Sequence, residues 1–220
     1  MTPRNQAVLA TVAGVAVGAA VVGGVVALRD DPGSEGTAVK AANSPSPSAS
    51  LPAPDPEAGP LEAAGIRYVS KKFGTRTADI TLQVPAGWTY VKQDAYNAWF
   101  VGPDGTWRLR VDATANSRTI DQTLRARERS LERSTKGLKV IAREEGAQQT
   151  NWGPGTLTHR TLIYSYQSSD RGLRFVMNRF VALGDGGRTA VEITASGRPD
   201  DQTGLEAVLA QATATIVLAG

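Results

Sequence analysis

Residues 7–28, AVLATVAGVAVGAAVVGGVVAL, carry no charge and consist almost wholly of alanine, valine and glycine. Such a run has no polar face to offer water, and as a helix it reaches about 33 Å, the depth of a bilayer's hydrocarbon core. It is longer than the roughly 7–15-residue apolar core of a cleaved secretory signal, and the sequence Val25-Val26-Ala27-Leu28-Arg29-Asp30-Asp31 offers only a weak cleavage pattern. The expectation is a signal anchor. Arg4 and the amino terminus precede the run, while Arg29, Asp30 and Asp31 follow it, so positive-inside logic leaves residues 1–6 in the cytoplasm and exports the rest. The chain would be a single-pass protein of the cell membrane. Gly14 and Gly18 form a GxxxG, which allows weak self-association of two such helices, although Gly- and Ala-rich segments often carry this spacing by chance.

The composition then changes. Residues 29–60 hold seven of the twelve prolines and the run SPSPSASLPAPDPEAGP. Proline removes backbone donors, and few residues here are apolar enough to offset ordering entropy, so a disordered or polyproline linker is expected. At about 3.1 Å per residue it would span on the order of 100 Å as a stalk. There is no cysteine. This excludes disulfides, thiolate metal sites, cysteine nucleophiles and a cysteine-linked lipid, and an exported domain without disulfides must be held by an ordinary core.

Residues 61–220 are the size of one domain. Their charge is positive, because only Arg4, Arg29 and Lys40 stand before them against Asp30, Asp31, Glu35, Asp55 and Glu57, in a chain of net +3. Ile80, Leu82 and Val84 alternate with polar residues and stop at Pro85, reading as a strand. Residues 98–102 enter the turn Gly102-Pro103-Asp104-Gly105, after which Trp107, Leu109 and Val111 alternate with Arg108, Arg110 and Asp112. That pattern predicts a hairpin with one apolar and one charged face. A helix follows, capped by Ser117 or Thr119 and ended by Gly137, with a thin stripe of Ile120, Leu124 and Leu131 among Arg125, Arg127, Arg129, Arg133 and Lys136. Further strands are expected at 138–144, 156–168, 173–183 and 188–196, the last two joined by Gly184-Asp185-Gly186-Gly187. A helix over about 201–213 and a short strand through Ile216, Val217 and Leu218 close the chain. Mostly consecutive strands with two helices imply an α+β domain, a largely antiparallel sheet covered by helices, with the long strands 156–168 and 173–183 at its centre.

The order Val84-Pro85-Ala86-Gly87-Trp88, the Gly-Pro-Asp-Gly turn, Arg108-Leu109-Arg110-Val111, the Arg-rich helix, Asn151-Trp152-Gly153, Val176-Met177-Asn178-Arg179-Phe180 and the closing Thr215-Ile216-Val217 resembles the PsbP/Mog1-like fold. More narrowly, it is similar to LpqN-like exported domains behind a single span and Pro-rich stalk in actinobacterial membrane proteins, including the outer domain of some receptor-type Ser/Thr kinases. The resemblance covers roughly residues 76–218. With six residues before the span, no kinase domain is expected, and the family brings no catalytic motif to positions in this chain.

The chemistry-bearing residues point the same way. The single histidine, His159, reads as a strand-face residue. Ser165, Ser168, Ser169 and Asp170 follow it, but no Gly-x-Ser-x-Gly elbow is present, and one His without Cys does not make a zinc site. Asp200-Asp201 reads as helix N-terminal charge, and Glu144-Glu145 as adjacent acids that cannot face each other across a substrate. No phosphate-binding glycine loop and no cofactor is expected. Trp88 and Trp107 read as core or sheet-edge packing, leaving Trp99 and Tyr96 beside the Gly-Pro turn as candidates for ligand contact. Arg125, Arg129 and Arg133 are the candidates for an anionic partner such as wall polymer, with a solvated helix face as the plainer alternative. Nucleic acid is not expected of an exported domain. The expected function is a non-enzymatic, membrane-anchored extracytoplasmic domain binding a protein or an envelope ligand. The alternatives are an accessory subunit of a membrane complex such as a secretion apparatus, and an envelope hydrolase using His159.

Overall fold

The computed structural model describes residues 59–75, 78–114, 116–150 and 155–218. The anchor at 7–28 with Gly14 and Gly18, the linker up to residue 58, and Trp152 lie outside the described residues. Among those described, no helix is long and apolar enough to cross a membrane.

The domain is α+β and its strand pairs are antiparallel. In chain order the elements are β1 (Tyr68–Thr75), β2 (Ala78–Pro85), β3 (Thr89–Lys92), β4 (Asn97–Val101), β5 (Arg108–Asp112), α1 (Ile120–Ser134), β6 (Lys139–Gln149), β7 (Thr156–Ser168), β8 (Gly172–Leu183), β9 (Val191–Gly197), α2 (Gln202–Ala214) and β10 (Val217–Leu218). A small sheet has the order β1-β2-β10, and a seven-stranded sheet has the order β3-β4-β5-β9-β8-β7-β6.

The expected hairpin at 98–111 is β4–β5, closed by Gly105 at φ 73°, a left-handed conformation that glycine adopts without strain. Its alternation sends Ala98, Phe100, Leu109 and Val111 into the larger core, where Ile193, Ala195 and Met177 continue the layer across the sheet. Leu205, Val208 and Leu209 of α2, with Leu82 and Val84 of β2, cover that layer. α1 packs on the opposite face, over β7 and β8. There Ile120 and Leu124 meet Leu162, Tyr164, Val176 and Phe180 in a second, smaller core. Its start is fixed by a capping box in which Thr119 and Gln122 exchange hydrogen bonds, an arrangement worth about 1 kcal/mol.

Two strands went unread in the sequence, and both are sheet edges. β1 buries only Phe73 among its described side chains, and β3 buries none. An edge strand shows water one side and part of each face, so it carries lysines rather than an apolar alternation. The opposite edge, β6, likewise runs to Gln149, past the expected end at 144, through residues 143–149, where Ala147 is the one apolar side chain. The centre of the large sheet falls on the short β9, with β8 beside it, because β9 joins β5 from the first half of the domain to β8 from the second. β9 also begins later than expected. Arg188 bridges to Thr119, and the Thr189 amide donates to the Arg118 carbonyl, so these residues hold the start of α1 instead of extending the strand.

Candidate functional site

The face of the large sheet that carries α1 is covered unevenly. The helix lies chiefly on β7 and β8, and it reaches the β5 side through Arg127, which shares Glu192 with Arg110. On the β4–β5 part the polar members of each strand line up in register: Trp99 sits opposite Arg110, and Arg110 opposite Thr194. The guanidinium carbons of Arg108 and Arg110 lie 5.9 and 6.0 Å from the Trp99 ring centroid. Trp99 is thus a half-buried indole on the surface side of β4, between two cations, each such contact contributing about 0.5–1 kcal/mol where solvent reaches it.

Arg110 is in turn held by acids. Its Nη2 donates to Asp112 at 2.6 Å and to the Asn97 side-chain oxygen at 3.0 Å, and its Nη1 to Glu192 at 3.2 Å. Glu192 Oε1 also accepts from Arg127 at 2.6 Å and from Asn178 at 3.1 Å. The Glu192 charge holds the Arg127 guanidinium above its ordinary range against the opposing effect of burial. Next to this network, burial pushes the Tyr164 hydroxyl well up, so it stays protonated. Arg127 was an unremarked member of the Arg-rich helix in the sequence. The signal that distinguishes it is position, since it follows Thr123 and Leu124 on the buried side of α1.

The other named residues separate. Tyr96 lies in the turn before β4, where Asp94 accepts its amide at 2.7 Å, and it makes no ring contact with Trp99. Trp88 and Trp107 stack on each other, centroids 6.3 Å apart, against the larger core. Arg125, Arg129 and Arg133 are exposed on the outer side of α1. Arg125 borders a groove of about 410 Å³ shared with Asp121, Glu128, Arg143, Glu144, Glu145 and Arg160. That groove is internally neutralised: Arg143 pairs with Glu128, and Arg160 with Asp121 at 2.9 Å and Glu145 at 3.3 Å.

His159 stands on β7, its ring over Gly146 of β6. Burial, with Arg179 and Arg160 nearby, lowers its pKa to about 4, so the imidazole is neutral at pH 7. The Ser168 hydroxyl donates to the Asp170 carboxylate at 2.5 Å, but Ser168 lies nine residues along β7 from His159, about 30 Å at the usual rise. The structure therefore does not bring His159, Ser168 and Asp170 together. Among the described residues no group of three His, Cys, Asp or Glu is placed to hold a metal.

No protein-family model matches the chain, and no curated protein matches it. Among solved structures, it is similar to the cyanobacterial PsbP of Synechocystis, at 15% identity and a TM-score of 0.47, over 74% of this chain and 97% of that one. It is similar to the Ran-binding protein Mog1p of Saccharomyces cerevisiae, at 10% identity and a TM-score of 0.44, over 69% and 96%. A Pseudomonas aeruginosa protein of unknown function matches at 15% identity and a TM-score of 0.38, over 67% and 96%.

Proposed function

We propose that this chain is a non-enzymatic binding domain of PsbP/Mog1-like kind, held outside the cell membrane by residues 7–28 and recognising a protein or cell-envelope ligand through the sheet face around Trp99. The observation that carries the reading is Trp99 itself. It lies on the side of β4 away from Ala98 and Phe100, half-buried between Arg108 and Arg110, while α1 on that face packs chiefly on β7 and β8. Tryptophan and arginine together on one face are the residue types that concentrate binding energy at protein interfaces. The apolar run and the Pro-rich linker support the anchored, exported setting.

The test is cross-linking and capture from intact membranes, using the full chain, its Trp99→Ala variant and its Arg125→Ala variant. Capture that depends on Trp99 and tolerates Arg125→Ala supports recognition by this face. Capture that ignores Trp99→Ala and is lost when residues 7–28 are replaced by an unrelated span sinks the proposal in favour of an accessory subunit that assembles through its membrane helix.

A further inference from the structure

Three arginines converge where the large sheet runs out of strand. β9 ends at Gly197, level with Phe175, so the start of β8 and the turn before it have no β9 residue beside them. Arg174 and Arg171 reach over that gap. Arg174, 2% exposed, donates Nη2 to the Thr106 carbonyl at 2.7 Å, and Arg171 donates Nη1 to the Gly105 carbonyl at 3.1 Å. Two residues past Thr106, Arg108 projects from the same face, beside Trp99.

Much of the donor capacity gathered there is unspent. Arg174 Nη1, Arg108 Nε and Nη2, and the Thr106 hydroxyl are all buried without a partner. Nε and Nη2 lie along one edge of a guanidinium, the pair that grips two oxygens of one anion. The nearby acids are partly committed to other donors. Asp170 accepts from Arg171 at 3.3 Å and from Ser168 at 2.5 Å, while Asp104 accepts the Thr106 amide at 3.0 Å and its other oxygen meets no donor. Burial, and after it the like charges of Arg171 and Arg174, lower the Arg108 pKa to about 10. Asp170 offsets part of this at Arg108, and Asp201 part of it at Arg174, but three desolvated cations exceed that counter-charge, and a bound anion reduces the remaining cost.

We propose that Arg108, Arg171, Arg174 and the Thr106 hydroxyl form a binding site for a phosphate-class oxyanion, set directly beside Trp99. The proposal rests on the binding-face reading and names the ligand chemistry of that face. Inorganic phosphate and a phosphodiester both present at least two non-bridging oxygens to such a guanidinium edge, so free phosphate and the diester of a lipid headgroup or envelope polymer both fit the donors.

The test is the intrinsic tryptophan fluorescence of the full chain in detergent, titrated at constant ionic strength with inorganic phosphate in one arm and glycerophosphoglycerol in the other, against sodium chloride. A saturable change is expected, weakened at least about tenfold by Arg108→Gln or Arg171→Gln and unchanged by Arg125→Gln. Bound anion also raises the melting temperature of the wild type and not of Arg108→Gln, which separates lost binding from lost folding. Tighter binding of the diester assigns the site to headgroups or polymer, and tighter binding of inorganic phosphate assigns it to free phosphate. No saturable response up to about 10 mM of either probe, or an equal response in Arg108→Gln, overturns the proposal. If Trp99-dependent capture persists alongside that failure, the binding face stands and only the anion site falls.

Discussion

The His159 imidazole occupies the place of a side chain at Gly146: a Cβ built on Gly146 would lie 2.5 Å from His159 Cε1 and 2.7 Å from Nε2. The two residues face each other in register across β6 and β7, so the glycine exists opposite the ring as the space the ring needs. Gly146→Ala is expected to destabilise the domain by about 1–3 kcal/mol through overpacking. In a His159→Ala background the same change should cost much less. Urea midpoints of the four proteins in this cycle measure the coupling, and equal costs in both backgrounds would rule out the ring as the obstacle.

The same histidine makes stability depend on pH. Its pKa is lowered from 6.5 in the unfolded reference to about 4 in the fold, by burial and by Arg179 and Arg160. The unfolded chain therefore binds the proton first as pH falls, and stability drops between about 6.5 and 4 before levelling. The ring is only half-buried, so the loss is expected at about 1–2 kcal/mol rather than the full value of the shift. Subtracting the pH profile of His159→Gln from that of the wild type isolates it from the carboxylates. A difference that does not change between pH 7 and pH 4.5 would contradict the assignment.

Asp201 closes the domain onto its own beginning. Fully buried, it accepts the Leu61 amide at 2.9 Å and the Arg198 amide at 2.6 Å, with the Arg198 guanidinium 3.5 Å away. Asp201→Ala leaves an arginine and two amides without their acceptor, and is expected to cost about 3–5 kcal/mol. Thermal unfolding should show a lower, still cooperative transition. A shift under one degree would mean that water replaces the carboxylate.

Gly204 presses the same junction from the helix side, because a Cβ there would overlap the Leu61 carbonyl. Alanine in a helix ordinarily gains about 1 kcal/mol over glycine. At this position the clash is with backbone and outweighs that gain, so Gly204→Ala is expected to be net destabilising by about 1–3 kcal/mol in urea.

Glu192 is the acceptor that fastens α1 across the sheet, taking Arg110, Arg127 and Asn178 on one oxygen. Glu192→Gln removes the charge from those bonds and is expected to cost about 2 kcal/mol, with faster amide exchange in α1 than in α2. Equal protection of both helices in the variant would show that the apolar contacts of Ile120 and Leu124 suffice.

The α+β class, the hairpin β4–β5, both helices and the alternation of β5 were legible in the sequence because buried strands and helix stripes must repeat their apolar residues with the period of the backbone. Trp99 was singled out only with Tyr96, for lying near the Gly-Pro turn; its place on β4 out of phase with Ala98 and Phe100 comes from the structure. The edges β1 and β3 were not legible, since a strand that buries little needs no apolar pattern. Nor was the full role of Asp201, read as helix-terminal charge: it does not cap α2 itself, and divides its carboxylate between the Arg198 amide of the turn before the helix and the Leu61 amide, 140 positions away. The convergence of Arg108, Arg171 and Arg174 belongs to the same kind. Their meeting depends on where β9 stops between two turns, a distance in space that no spacing along the chain encodes.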